Sequence, residues 1–356
     1  MLKQGIAFVT LLFALLSPIS RAQGTPNETL LALSKRDHTL AIVDPIKLTV
    51  VSKVPVGNDP HEVIASADGT TAYVSNYGGG AFNTLAVIDL AAQKPLPEID
   101  LGALRGPHGL IFVGGKLYFT AEAAKAIGSY DPATKKIDWI FGTGQNRTHM
   151  VYVFDDLKRI VTTNVSSGTV SVIEKTAGRP MGGPPPGMAP PPGAAPGARG
   201  PMGPPGGDWD QTVILVGNGS EGFDVSPNGK EMWVANAQDG TISIIDLALK
   251  KVTATLNVNA RGANRLKFTP DGTHVFVSML GGPDLLILDA ASHQEIKRIP
   301  VGHGAAGILM QPDGSRAFVA CTPDSYVALI DLKTLTLTGH LDVGPEPDGL
   351  AWSVKH

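Results

Sequence analysis

Apolar residues in this chain come in short runs, among them Leu40-Ala41-Ile42-Val43, Ala72-Tyr73-Val74 and Leu85-Ala86-Val87-Ile88, each closed within two residues by Asp or Asn. Runs this short, bounded by turn formers, predict β-strands rather than helices. The runs also repeat. A strand ending in Val-Gly or its equivalent recurs at Val56-Gly57, Leu101-Gly102, Thr143-Gly144, Val216-Gly217, Val258-Asn259, Val301-Gly302 and Val343-Gly344, at spacings of 45, 42, 73, 42, 43 and 42 residues. The long interval contains a Pro/Gly-rich stretch, Gly178 to Gly207, whose removal restores the common period. A period of about 40 residues built from short strands predicts a β-propeller with four strands per blade. Seven copies predict seven blades.

Each unit reads as apolar strand, tight turn, apolar strand, Gly/Asn loop, third strand, polar turn and fourth strand. The first turn is Ala67-Asp68-Gly69, Pro227-Asn228-Gly229, Pro270-Asp271-Gly272 or Pro312-Asp313-Gly314, and Asp-Gly and Asn-Gly supply the positive φ that hairpin turns need. The third strand closes on an acid in all seven units: Asp44, Asp89, Asp131, Glu174, Asp246, Asp289 and Asp331. A residue type present in every blade serves the blade, here as an acceptor for backbone N–H groups in the following turn. Function is therefore sought where the copies differ.

The two ends of the repeat array are incomplete in complementary ways. Pro347 to Ser353 reads as a first strand with no second strand after it, and Leu30 to Ser34 as a second strand with none before it. Pairing them completes a blade, closes the ring and removes an open sheet edge. Ahead of this lies Lys3, an apolar run Ile6–Leu16, a Ser17-Pro18 break and the small-residue site Ser20-Arg21-Ala22. That pattern predicts a secretory signal peptide over residues 1–22, cleaved near Ala22, and hence an exported (periplasmic or secreted) protein, a single propeller domain over 23–356. No stretch is long and apolar enough for a transmembrane segment. Gly178–Gly207 lacks a strict Gly-X-Y period and is too poor in core-forming residues to fold, so it reads as a disordered insertion between a third strand (Thr169–Lys175) and a fourth (Thr212–Val216).

Charge narrows the partners. Cleavage would remove Lys3 and Arg21, taking the formal net charge from −3 to −5, and a mildly acidic chain without a Lys/Arg run is poorly suited to duplex nucleic acid. The single cysteine, Cys321, excludes an internal disulfide, and the absence of Cys-x-x-Cys-His excludes a covalent c-type haem. A monomer is expected, and no serine-hydrolase elbow, Walker loop, dinucleotide fingerprint or His-Glu-x-x-His is present.

The most informative variable column is the start of each innermost strand, where the seven copies carry His61, His108, His149, Glu221, Asn264, Ala306 and Asp348. In a propeller all seven surround one mouth of the central channel. The three histidines come from consecutive blades, and such a set suits one transition metal (zinc, copper or iron) with a position left open for water or substrate. They suit equally a metal-free polar ligand site, or hydrogen bonds to nearby backbone. Arg105, Arg147, Arg261 and Arg265 gather on the same face with the Lys35-Arg36-Asp37-His38 loop, which favours an anionic ligand; Asp59, Glu62, Asp239 and Glu346 are interspersed among them. Met279 and Cys321, at the ends of second strands, are candidate soft ligands facing the same end.

Ala72-Tyr73-Val74-Ser75-Asn76 with Leu85-Ala86-Val87-Ile88-Asp89 resembles the YVTN family of propeller repeats. Met232-Trp233-Val234-Ala235-Asn236 with Thr241 to Asp246, and Ile160 to Asn164 with Thr169 to Ile173, are further copies. The resemblance spans essentially the whole mature chain and implies the fold. The related propellers include lactonase-like, quinoprotein-like and haem d1 domains and non-catalytic binding proteins, so fold alone does not choose an activity. Two function classes follow. One is a binding module that takes a small, anionic ligand or a protein partner at the mouth through His61, His108, His149, Glu221, Asn264, Asp348, Arg105, Arg147 and Arg265. The other is a metal-dependent enzyme, a lactonase- or lyase-like hydrolase or a copper- or cofactor-dependent oxidoreductase, with the ion on His61, His108 and His149 and with His108 and Glu221 as the catalytic candidates.

Overall fold

The Asp-Gly and Asn-Gly turns set the first hairpin of four blades. Gly69, Gly229, Gly272 and Gly314 take φ of 66°, 69°, 72° and 72°. The Oδ1 atoms of Asp68, Asn228, Asp271 and Asp313 accept the backbone N–H two residues on at 2.9–3.0 Å. The acid closing each third strand works the same way. Asp246 Oδ1, for example, takes the N–H groups of Ala248 and Leu249, both at 2.8 Å, and Asp44, Asp89, Asp131, Asp289 and Asp331 hold their turns alike. Glu174 is the exception and pairs with Lys250 instead.

The computed structural model describes residues 26–176 and 209–356. In them, twenty-eight strands form seven antiparallel sheets of four. Blade one is the clasp: Pro347–Val354 lies innermost against Glu28–Ser34, with Leu30 opposite Trp352 and Ser34 opposite Pro347, and Thr39–Asp44 and Thr49–Pro55 follow outward. The innermost strands of blades two to seven are Pro60–Ala65, Pro107–Val113, Thr148–Val153, Ser220–Val225, Ala263–Phe268 and Ala305–Met310. Each touches the next, and the last touches Pro347–Val354, so the ring is closed.

Burial follows this geometry. Second and third strands are buried on both faces between neighbouring blades, while the fourth strands expose many of their residues, in alternation in Lys136–Gly142, Lys251–Asn257 and Thr336–Leu341. Inter-blade cores such as Trp233, Ile244, Phe268 and Val277 hold the ring by apolar contact. At the channel the strands come closest. A Cβ on Gly109, Gly222, Gly307 or Gly349 would run into the backbone of the next innermost strand. Blade four's third strand is Thr169–Lys175, as expected, and its fourth begins three residues earlier than expected, at Trp209. The signal-peptide region and the whole Pro/Gly-rich stretch lie outside the described residues. Among the described residues, no helix is long and apolar enough to cross a membrane.

Candidate metal and ligand site at the channel mouth

His61, His108, His149, Glu221, Asn264, Ala306 and Asp348 are each the second residue of an innermost strand, and all seven line one cavity of about 360 Å³ at the channel mouth. Consecutive blades bring the three imidazoles into a row, with ring centroids 4.9 Å apart for His61–His108 and 3.9 Å for His108–His149. Tyr77 stands edge-on to His61 and His108.

His149 sits between two carboxylates. Its Nδ1 is 2.5 Å from Glu122 Oε1. Its Nε2 is 3.0 Å from Glu221 Oε2, at ion-pair distance yet off the line of a hydrogen bond. Glu122 also accepts from the Tyr77 hydroxyl at 2.5 Å and from Arg147 Nε at 3.4 Å, and the Arg147 guanidinium reaches Glu221 at 3.7 Å. Burial disfavours the charged form of His149, but the two glutamates outweigh it and its pKa is raised. Burial also works against ionised Glu122 and Glu221, yet the adjacent imidazolium lowers the first and, with Arg147 and Arg265, holds the second at about 2. His108 is the opposite case. Burial first, and then the nearby charge of His149, Arg265 and Arg147, holds it well below the ordinary imidazole value. Its Nδ1 has no hydrogen-bond partner.

The ligand atoms of His108, Glu122 and His149 all lie within 4.8 Å of one another, a His/Glu/His group able to hold a metal ion. His61 is engaged elsewhere: Lys35 Nζ donates to its Nε2 at 2.8 Å, Asp59 Oδ1 is 3.1 Å from the same atom, and Asp348 lies 3.5 Å from Nδ1. Asn264 Oδ1 accepts from Arg265 at 3.3 Å, and Arg265 pairs with Glu62. Arg147 and Arg265 thus reach the mouth, whereas Arg105 is exposed, donates to the Ala81 carbonyl and does not line it. Met279 and Cys321 do not line it either. They pack in inter-blade cores, where burial pushes the Cys321 thiol up to about 12.

Glu122 and Tyr77 escaped the sequence reading, although a signal existed. The residue just past each second strand is Lys35, Tyr77, Glu122, Val165, Ala237, Leu280 or Thr322. That column is as variable as the mouth column one strand away, and four of its members line the cavity.

The raised pKa of His149 carries a sign. A group whose pKa is higher folded than unfolded contributes stability in full below its ordinary value, 6.5, and loses it as pH climbs through the folded value. The unfolding free energy of metal-free protein should therefore fall as pH rises from about 6.5 through the raised folded value. Urea titrations should show this slope in the wild type and a flatter one in His149→Asn; equal slopes would mean His149 carries no bound proton.

A scan against protein-family models finds no match to the chain, and a search of curated proteins finds none. Solved structures share its fold. A functionally unknown protein from Desulfotomaculum acetoxidans aligns with a TM-score of 0.70 at 12% identity, over 92% of this chain and 99% of that one. A putative 6-phosphogluconolactonase from Bacteroides fragilis gives 0.67 at 15% identity, over 92% and 98%. The dihydro-heme d1 dehydrogenase NirN, in complex with DHE, gives 0.61 at 13%, over 94% and 76%. At these identities the likeness establishes the architecture: this chain is a seven-bladed β-propeller with lactonase-like and haem d1 propellers among its structural neighbours.

Proposed function

We propose that this chain is an exported propeller that holds one divalent transition ion at its channel mouth and uses it on a small molecule of no net charge. One observation carries the reading. A buried imidazole nitrogen, His108 Nδ1, has no partner, in a ring 3.9 Å from that of His149 and its two glutamates. Unpartnered buried polar atoms cost stability and are rare. A metal ion is the partner that two imidazoles and a carboxylate select, and the donor set suits zinc, copper or iron better than calcium or magnesium.

Charge at the mouth supports the same reading. Asp59, Glu62, Glu122, Glu221 and Asp348 face only Lys35, Arg147 and Arg265 as permanent cations. Five carboxylates against three permanent cations and the His149 imidazolium leave one negative charge, and two once an ion displaces the His149 proton, which a divalent ion makes up. Each of those cations already has a carboxylate partner. The mouth is thus better matched to a neutral ligand than to the anionic one suggested by counting arginines.

A bound ion would supply Lewis acidity towards a carbonyl oxygen. Around it His108, His149 and Glu122 serve as holders, Tyr77 and Arg147 fix Glu122, and Glu221 is the carboxylate in place to accept a proton from a group seated beside His149. Hydrolysis of an unphosphorylated lactone or ester fits this arrangement. A second reading, a metal-free binding module for a small ligand or protein partner, draws support from the paired network around Glu122, which already satisfies Tyr77 and Arg147.

Crystals soaked in zinc should show an anomalous peak about 2.0–2.2 Å from nitrogens of both His108 and His149 and from a glutamate oxygen. Zinc found only at surface histidines such as His303 would refute the metal reading and leave the binding module.

A further inference from the structure

The mouth cavity has two unlike halves. In a closed ring of seven, blade three stands across from blades six and seven. On the first side lie the three imidazoles with Arg147 and Glu221. Facing them, blades six and seven contribute Leu280, Gly304, Ala306 and Pro323, with no charged side chain between Arg265 and Asp348 of blade one. Ala306 is the one apolar member of the mouth column, and Leu280 stands 52% exposed on the lip. Arg265, one register below, donates to Glu62 across the channel, so its charge is already paired. The Thr322 hydroxyl is paired too, with the Pro347 carbonyl at 2.8 Å.

One polar group on this apolar side has no partner. Asn264 is 8% exposed, and its Oδ1 accepts from Arg265 Nη1 at 3.3 Å. A guanidinium only donates, so this contact fixes which way round the amide stands. Nδ2 therefore points away from Arg265. It makes no hydrogen bond, and unlike His108 Nδ1 it is not shut off from solvent, in a residue that lines the cavity. An amide N–H donor open to a cavity calls for an acceptor from whatever fills it. Apolar walls with a few placed polar groups are the usual lining of a small-molecule site, the apolar part holding the ligand and the polar groups orienting it.

We infer that the substrate of this site is a lactone or ester carrying an uncharged alkyl arm. An oxygen of its ester group accepts from Asn264 Nδ2, and the arm lies against Leu280, Ala306 and Pro323. A charged arm would find no partner on that wall, and a plain hydrocarbon would leave the amide donor unmet. The inference names the substrate class of the hydrolytic site proposed above and rests on that reading. The contacts it assigns belong to blades six and seven, and none of them is made by a candidate metal ligand.

The probes are γ-butyrolactone and γ-nonalactone, which differ by a pentyl arm, titrated into metal-free full chain and followed by ligand-observed NMR. γ-Nonalactone should bind about tenfold more tightly, the yield of roughly two buried methylenes. Leu280→Ser should cut that preference to about threefold or less and leave γ-butyrolactone binding as in the wild type. Asn264→Asp keeps the acceptor for Arg265 and puts a carboxylate oxygen where the donor was, so both lactones should weaken about tenfold. If that variant fails to fold, Asn264→Ser should weaken both about three- to tenfold. Binding is read here without metal and without turnover, so a mouth that takes no zinc leaves these ratios standing. Equal affinities for the two lactones in a protein that does take zinc would remove the substrate class alone. Absence of saturable binding, a preference that survives Leu280→Ser, or lactone binding unchanged by the Asn264 variant would each overturn the inference.

Discussion

A chain ending at Glu346 should not close into a ring. Residues 347–354 form the innermost strand of blade one, in register with Glu28–Ser34 from the other end of the described chain. Their loss would leave Glu28–Ser34 as an open edge beside the channel and strip cover from Leu30, Leu31 and Leu33, all fully buried. It would also remove Ala351 from the core and Asp348 from the mouth. Exposed apolar edges pair with other chains, and closure is what removes them from a propeller. The truncated protein should lose its cooperative melting transition and elute as soluble aggregate. A monomer melting within a few degrees of the full chain would show that the clasp contributes little.

Two substitutions at the mouth should move stability in different directions. Glu122→Ala strips a buried imidazolium of its closest carboxylate and leaves the Tyr77 hydroxyl without its acceptor. Removing one member of a buried ion pair typically costs about 3–5 kcal/mol, so a loss of about 3 kcal/mol in unfolding free energy is expected. His108→Phe should cost nothing and can stabilise, because it replaces a neutral imidazole whose Nδ1 is unpartnered with an apolar ring of similar shape. The same change should remove metal binding. A residue kept at the expense of stability is the mark of a functional site. Chemical denaturation of both variants and the wild type measures this; a His108→Phe variant that unfolds as readily as Glu122→Ala would make His108 a structural residue.

The architecture was legible because it is written in repetition. Short strands, Asp-Gly turns and a fixed period each encode local geometry, and Asp68, Asn228, Asp271 and Asp313 do in the folded chain what their residue type implies. The mouth column was legible for the same reason: strand register carries the second residue of seven innermost strands to one place. What register does not encode is where a side chain finds its partner. Glu122 follows a different strand, and only the packing of adjacent blades brings it to His149. Arg105 and Arg147 read alike in the sequence, yet Arg105 turns outward to a backbone carbonyl while Arg147 reaches two glutamates. Met279 and Cys321 end second strands as Asn76 does, but as apolar, polarisable groups they are drawn into the inter-blade cores.

The central claim is a metal ion at the mouth. Its most direct test is calorimetric titration of zinc into chelator-treated protein, repeated in buffers of different ionisation enthalpy. One ion per chain should bind with sub-micromolar affinity, and protons should be released as the ion displaces the one held by His149. Glu122→Gln and His108→Phe should abolish the binding. No stoichiometric binding of zinc, copper or ferrous iron to folded wild-type protein, or binding that survives both substitutions, would contradict the claim.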